Sequence, residues 1–279
     1  MNAPVNAPAD GHADGPAAGG RIAPPGPTGR RRGAGYWLSS LWSMLRFDAA
    51  QARQYAAVMV FTQVMLGAGM SVVYGFCYPR VTPAAAVYIA TGTPALALIP
   101  LGFSIIPNSV CRQKLAGTFE FLWSMPVPRS AQGASTFLLY TVLALPGMVL
   151  ALIISAFRYR IRLSVSPEIG PAVLLCALMA ISVGYGMAVA IPRPAITNLI
   201  TNALTFVVLL FSPIVFPLSQ LPGWLAAIHR ALPFYNMAVV IRAGLTRGVV
   251  SGLTVSFLVL LAWTAAGWAL TGWMVSRRG

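Results

Sequence analysis

The sequence predicts an all-α integral membrane protein, and composition is the first observation behind this prediction. The 279-residue chain is 57% hydrophobic and 9% charged, with a mean hydropathy of +0.74. Soluble domains carry about 25% charged residues, so this chain has too few charges to cover a water-facing surface. The second observation is a set of six apolar stretches, each close to the roughly 20 residues that a helix needs to cross a bilayer. These stretches are residues 56–77, 84–106, 131–157, 170–191, 195–215 and 251–275.

Residues 1–33 precede the apolar stretches and are rich in Pro, Gly and Ala. They contain almost no large apolar side chains, so they cannot bury enough surface to offset the entropy of ordering. We therefore expect a disordered tail. It has no apolar core of the signal-peptide type, so we do not expect a cleaved signal peptide. Three arginines at 30–32 end the tail and favour a cytoplasmic N-terminus.

Residues 36–48 are predicted to form an amphipathic helix ahead of the first span. Trp37, Leu41, Met44 and Leu45 recur at helical spacing, and arginines flank them. Such a helix is typical of a segment that lies in the membrane plane. The alternative is a simple extension of the first membrane helix.

The remaining charges bear on orientation and on partners. The net charge is +14, but the cations stand at the ends of apolar segments and in the tail, so they indicate contacts to lipid rather than to nucleic acid. Six spans with a cytoplasmic N-terminus place the C-terminus in the cytoplasm as well. The basic cluster at 158–162 then lies outside, which opposes the usual charge rule. The excess of arginine over lysine is typical of a GC-rich bacterial gene, so we expect a bacterial inner or plasma membrane.

The segment 212–236, between the fifth and sixth spans, is apolar but is interrupted by four prolines. A short helix is predicted to start near Pro222 and to stop before Pro233, with Trp224 on it. Broken helices at membrane depth are tolerated only where protein or a cavity covers them. We therefore expect a re-entrant extracellular segment that acts as an outer gate. A plain interfacial loop is the alternative.

Residues 112–125 form a polar island between the second and third spans and are predicted to be one short amphipathic helix. One face is apolar and the opposite face is small and polar. The apolar face consists of Leu115, Phe119, Leu122 and Trp123, and the polar face of Gln113, Gly117, Glu120 and Ser124. Pro126 ends the helix, because proline disfavours helical geometry in the residue before it. The polar face is a candidate docking surface, and an ordinary loop helix at the lipid headgroups is the alternative.

The run from Arg112 to Arg129 resembles the signature of ABC-2-type transporter permeases, and residues 221–242 are similar to the re-entrant segment of that family. The resemblance implies a half-transporter that pairs with a second permease subunit, as a homodimer or a heterodimer. It also implies that the island is a coupling helix seated in a soluble P-loop ATP-binding subunit. The coupling positions implied are Arg112, Lys114, Gly117, Thr118, Glu120 and Pro126.

Catalytic motifs are missing from the sequence. There is no P-loop motif, so ATP and Mg²⁺ are expected in the partner subunit and no cofactor in this chain. Five acids and two histidines, widely spread, build neither a metal site nor a catalytic pair, so we expect no enzyme activity. The expected function is ATP-driven export of a hydrophobic or amphipathic molecule such as a drug, antibiotic or lipid. The alternatives are a polysaccharide or teichoic-acid cargo, an ion-coupled secondary transporter, a membrane enzyme and a membrane scaffold.

Overall fold

The structure, a computed structural model, describes residues 33–77, 82–161, 163–246 and 252–276. The predicted disordered tail lies outside these ranges except for Gly33, and so does Arg162 of the basic cluster. Within them the chain forms ten α-helices and no strand. The helices are α1 (Ala34–Cys77), α2 (Pro83–Pro100), α3 (Ile106–Leu115), α4 (Thr118–Ser124), α5 (Arg129–Tyr159), α6 (Ile169–Ala190), α7 (Pro194–Phe211), α8 (Gly223–Ala231), α9 (Pro233–Leu245) and α10 (Leu253–Ser276).

Six segments of the fold are long and apolar enough to cross a membrane, which confirms the predicted fold class. They are α1, the continuous unit from α2 through α3, α5, α6, α7 and α10. A seventh, broken crossing arises if α8 and α9 are counted together, because these two helices meet at an angle of 76°. The protein is therefore a multi-pass helical membrane protein.

The first helix differs from its prediction, because no separate interfacial helix exists at 36–48. These residues are the N-terminal part of α1, which runs 44 residues without a break. At 1.5 Å per residue its length is about 66 Å, roughly twice the bilayer core. Neither glycine nor proline occurs between residues 36 and 66, so nothing local ends the helix.

The long helix α1 runs parallel to α5 over the whole length of α5. Ser71 Oγ accepts from Ser155 at one end, and Tyr36 donates to the carbonyl of Pro126 at the other. Between them, a Cβ added at Gly67 would lie 2.6 Å from the Cβ of Ala151, so the backbones approach closely. Small residues at such contacts are the usual means of packing membrane helices.

The second membrane segment is buried at the centre of the bundle and is longer than predicted. A π turn at Leu101–Ile105 joins α2 to α3, and α3 continues to Leu115 instead of ending near residue 106. Pro107 has no N–H to offer the preceding turn, which a π turn accommodates. At this level a Cβ added to Gly184 of α6 would lie 1.8 Å from the carbonyl oxygen of Gly102. Only glycine permits this approach of the second and fourth membrane segments.

In the broken segment at the other end of the bundle, the short helix predicted between Pro222 and Pro233 is confirmed. The helix α8 begins after Pro222 and ends before Pro233, as the prolines predict. Pro233 is not the end of helical structure, however, because it is the first residue of α9, which is almost wholly buried. Proline is favoured at a first helical position, since its missing N–H has no partner there in any case. The fifth span is also shorter than predicted, because α7 ends at Phe211, ahead of Pro213.

Candidate functional site

The polar island is two helices rather than one, and Gly117 separates them. The N–H groups of Ala116 and Gly117 donate to the carbonyls of Arg112 and Lys114, at 3.0 and 3.3 Å, and close the end of α3. Gly117 has φ 70°, the left-handed region that favours glycine. The single helix predicted over 112–125 is therefore wrong. Residues 112–115 end the second membrane segment, and α4 starts afresh at Thr118.

The inner face of α4 joins it to three membrane segments. Phe119 and Leu122 are buried, as the periodicity predicts. The ring of Phe119 belongs to a small apolar cluster with Val110 of α3 and with Ala188 and Val189 of α6, and Met274 of α10 packs against the same cluster. This cluster connects α4 to the second, fourth and sixth membrane segments.

The outer face of α4 combines a carboxylate with exposed apolar groups. Glu120 and Ser124 are exposed, as predicted for the polar face, and so is Phe121 at 57%. Leu115 is 76% exposed, although its spacing placed it on the apolar face, because the turn at Gly117 takes it out of register with α4. We use the name outer face of α4 for the exposed residues of α4 together with those at the turn ahead of it, namely Leu115, Gly117, Glu120, Phe121 and Ser124. Apolar side chains grouped around a charge are typical of a protein interface.

Lys114, the only lysine, reaches α6. Its Nζ donates to the carbonyls of Ala188 and Ile191, at 2.6 and 3.0 Å, where α6 ends. The last carbonyls of a helix have no intrahelical donors, and a cation there is also favoured by the helix dipole. Lys114 thus ties the start of the turn before α4 to the end of the fourth membrane segment.

The start of α1 holds the linker that follows α4. Tyr36 donates its hydroxyl to the carbonyl of Pro126, and Trp37 Nε1 donates to Ser130 Oγ at 3.0 Å. Met125 is extended, so α4 ends ahead of Pro126 as predicted. Sequence reasoning placed Trp37 on an amphipathic helix in the membrane plane and missed these contacts, because they join residues about 90 positions apart.

A cavity of about 260 Å³ lies behind α4, between α1 and α5 on one side and α3 and α6 on the other. Its wall includes the half-buried Asp48, whose carboxylate accepts from the hydroxyls of Ser135 and Thr136. Arg112 also lines it, with the guanidinium stacked 4.9 Å from the centre of the Tyr55 ring. The rest of the wall mixes amide, aromatic and apolar side chains. These include Gln51, Gln54, Gln113, Gln132, Tyr140, Tyr185 and Met59.

The predicted gate residues lie at the opposite end of the bundle. Pro222 precedes α8, Trp224 on α8 is 69% exposed, and Pro233 is buried at the start of α9. The junction of α8 and α9 is held by Asn236, whose amide donates to the carbonyls of Arg230 and Leu232 at 3.0 and 2.7 Å.

Arg242 of α9 is 2% exposed and was not among the predicted site residues. Its Nε donates to Thr91 Oγ1 at 2.9 Å, and its Nη2 donates to the carbonyl of Ile214 at 2.8 Å. The guanidinium also lies 4.0 Å from the centre of the Tyr88 ring. A buried cation is costly unless its donors are satisfied, so this set of contacts fixes α9 against α2 and against the segment that follows α7. A lone arginine inside the apolar run 237–245 is the sequence signal that marks it.

These features define a multi-pass membrane protein with a short helix anchored beneath one end of the bundle and a broken segment at the other. A family model described as ABC-2 family transporter protein matches residues 79–274, and the chain belongs to this family. It is therefore a permease of an ABC transporter, a membrane transport component of a system that includes an ATP-binding partner. None of the curated proteins compared with the sequence matches it.

Proposed function

We propose that the chain is the permease subunit of an ATP-driven exporter, that two permease subunits form the pathway, and that α4 is the coupling helix. The observation that carries the proposal is the two-sided character of α4. Its outer face presents Glu120 and Phe121, while Phe119 on its inner face belongs to an apolar cluster that includes residues of α3 and α6 and is contacted by α10. A helix that only rested on lipid headgroups would not join these segments.

The mechanical step follows from these contacts. ATP binding in the partner favours one of two packings of the complex, and the partner moves the outer face of α4 as it closes. The apolar cluster around Phe119 transmits this displacement to α3, α6 and α10. The hydrogen bonds from Lys114 make α6 move together with α3. Gly117 supplies the turn that lets α4 stand apart from α3. The remaining proposed coupling positions lie around α4: Arg112 in the last turn of α3, Thr118 at the start of α4 and Pro126 just after its end.

The cavity behind α4 supports an amphipathic cargo. Its wall offers tyrosine rings and a methionine together with amides and the Asp48 carboxylate, within about 260 Å³. Such a mixture matches a molecule with one apolar and one polar part. We propose that cargo enters here and leaves past an outer gate built on Pro222, Trp224 and Pro233. The setting is a bacterial plasma membrane with both termini in the cytoplasm.

The test is co-expression with candidate soluble P-loop ATPases, followed by purification and ATP-driven transport in proteoliposomes. Glu120→Ala and Gly117→Trp are expected to insert normally and to lose transport, because both alter the outer face of α4. Glu168→Ala is the matched control for Glu120→Ala, since Glu168 is exposed and lies just ahead of α6, whose far end contacts α4. Gly252→Trp is the control for Gly117→Trp, because Gly252 is also left-handed, at φ 79°, with open space around it.

Two results would overturn the proposal. If the purified chain moves solute without an ATPase, it is a secondary transporter. If Glu120→Ala and Gly117→Trp both keep full ATP-driven transport, α4 is not the coupling helix.

A further inference from the structure

The end of the bundle opposite α4 carries a basic cavity that export does not require. The helix α5 starts next to α4 and spans 31 residues, so its last turn lies about 46 Å away. There a cavity of about 600 Å³ opens between the end of α1, the start of α2 and the end of α5. Its described lining includes Arg158, Tyr159 and Arg160.

Arg158 is held in place by the last turns of α1. Its guanidinium lies 5.2 Å from the centre of the Phe76 ring. The neighbouring Tyr159 donates its hydroxyl to the carbonyl of Ser71 at 2.5 Å. Gly75 leaves room for both side chains, since a Cβ there would lie 2.6 Å from Tyr159 Oη and 3.4 Å from Arg158 Nε. Arg158 is therefore an exposed cation at the mouth of the cavity, with its guanidinium near the Phe76 ring.

Arg160 occupies a backbone position that suits glycine. It has φ 51° and is the one non-glycine residue with positive φ among the described residues. The N–H of Ile161 donates to the carbonyl of Ala156 at 3.2 Å, which closes the end of α5 around this left-handed residue. A glycine would make the same turn without strain. Stability therefore does not account for the arginine, and a residue held in a strained conformation points to a role in binding.

The surroundings of the two arginines identify the chemistry of a ligand. The Phe76 ring faces the Arg158 guanidinium, and Phe157 directly precedes Arg158 in the chain; these two side chains are 76% and 81% exposed. In a membrane protein, exposed aromatic side chains at helix ends face lipid. A ligand that satisfies all four side chains carries an anionic, phosphate-like head and an apolar body. One guanidinium group can donate two parallel hydrogen bonds to two oxygens of a phosphate, so arginine suits this head group.

We propose that this cavity binds the head group of an anionic phospholipid, with Arg158 and Arg160 on the phosphate and with Phe76 and Phe157 against the acyl chains. The lipid contacts the described ends of α1, α2 and α5 at this end of the bundle. The proposal also accounts for a basic cluster on the side of the membrane where the charge rule predicts few cations.

The experiment titrates the purified full-length chain with phosphatidylglycerol and with phosphatidylcholine, and counts bound lipids by native mass spectrometry. We expect phosphatidylglycerol to bind more tightly. Arg158→Gln and Arg160→Gly should each weaken it about fivefold, the loss expected for one cation at a lipid surface. Arg160→Gly also removes the backbone strain, so the fold is kept. Arg193→Gln is the matched control, because Arg193 is exposed in the turn between α6 and α7, at the α4 end.

Three outcomes contradict the proposal. Equal binding of both lipids shows that the anionic head group is not recognised. An equal loss in Arg193→Gln shows that only the total charge matters. Displacement of the lipid by soluble glycerol phosphate at matched concentration shows that a free phosphate ester, and not a lipid, is the ligand.

Discussion

Gly117 shows how one backbone conformation shapes the turn between α3 and α4. With φ 70° it ends α3 and turns the chain into α4, and no heavy atom lies within 4 Å of where a Cβ would stand. A substitution there is strained by the backbone alone and creates no clash. The effect of a small side chain at Gly117 therefore reports on the turn.

We predict that Gly117→Ala lowers the free energy of unfolding by about 1 kcal/mol, the cost of a left-handed non-glycine residue. It should also reduce ATP-driven transport, because the turn sets the direction of α4. Gly252→Ala carries the same backbone cost ahead of α10 and should leave transport unchanged. Chemical denaturation and a proteoliposome transport assay measure the two effects. Equal transport by Gly117→Ala and Gly252→Ala would show that the Gly117 turn does not act in coupling.

Lys114 places its charge at the C-terminal end of α6. Lys114→Met keeps the aliphatic stem but removes the donors to the carbonyls of Ala188 and Ile191. We expect the free energy of unfolding to fall by about 2 kcal/mol, a loss typical of hydrogen bonds to a charged group. Hydrogen exchange should become faster at the end of α6. Arg53→Met removes a charge from an exposed position on α1 and is expected to leave that exchange unchanged.

At the scale of the element, α4 places one buried and one exposed phenylalanine two residues apart. Phe119 is 2% exposed and Phe121 is 57% exposed, and the two side chains have the same volume and chemistry. Truncating one removes packing inside the chain, whereas truncating the other removes surface offered to a partner. The two positions therefore distinguish a structural loss from a coupling loss.

We predict that Phe119→Ala costs about 3 kcal/mol of stability, at the lower end for a buried phenylalanine. Phe121→Ala should leave stability unchanged within about 0.5 kcal/mol, as an exposed residue does. The same Phe121→Ala variant should weaken the complex with the ATPase, because exposed aromatic residues are typical interface anchors. Pull-down of the ATPase by each variant separates the effects. Normal ATPase binding by Phe121→Ala would remove Phe121 from the interface.

At the scale of the whole molecule, Arg242 joins parts of the chain that are far apart in sequence. It links α9 to Thr91 of α2 and to the carbonyl of Ile214 beyond α7. Cys176 of α6 lies on the other side of α9, with its Sγ donating to the carbonyl of Met237 at 3.8 Å. The reactivity of this buried thiol therefore reports on the seating of α9.

We predict that Arg242→Lys loosens α9, because an ammonium group cannot reproduce the planar set of guanidinium donors. Maleimide labelling of Cys176, followed by mass spectrometry in a Cys77→Ser background, should rise in this variant. Cys111, buried in α3, is an internal control whose labelling should not change. Labelling of Cys176 that stays at its original level would show that Arg242 does not hold α9.

The periodicity of α4 illustrates how far sequence reasoning reaches. It identified Phe119 and Leu122 as the inner face and Glu120 and Ser124 as the outer face, since neighbours three and four apart share a face in any helix. It misplaced Leu115, because one left-handed residue at Gly117 resets the register. It did not identify Asp48, Tyr36 or Arg242, each of which has a hydrogen-bond partner about 87 or more residues away.

The sequence by itself determined the membrane class, the six spans, the ends of α4 and α8 at prolines, and the resemblance to ABC-2 permeases that the family match confirms. These properties are local, because hydropathy, helix length and the geometry of proline depend on neighbouring residues alone. Only the tertiary structure decided that α1 is one helix along α5, that Phe119 of α4 shares an apolar cluster with α3 and α6, and that Arg158 and Arg160 share a cavity. These properties depend on which distant helices meet, and the backbone approaches at Gly102 and Gly184 permit one such meeting.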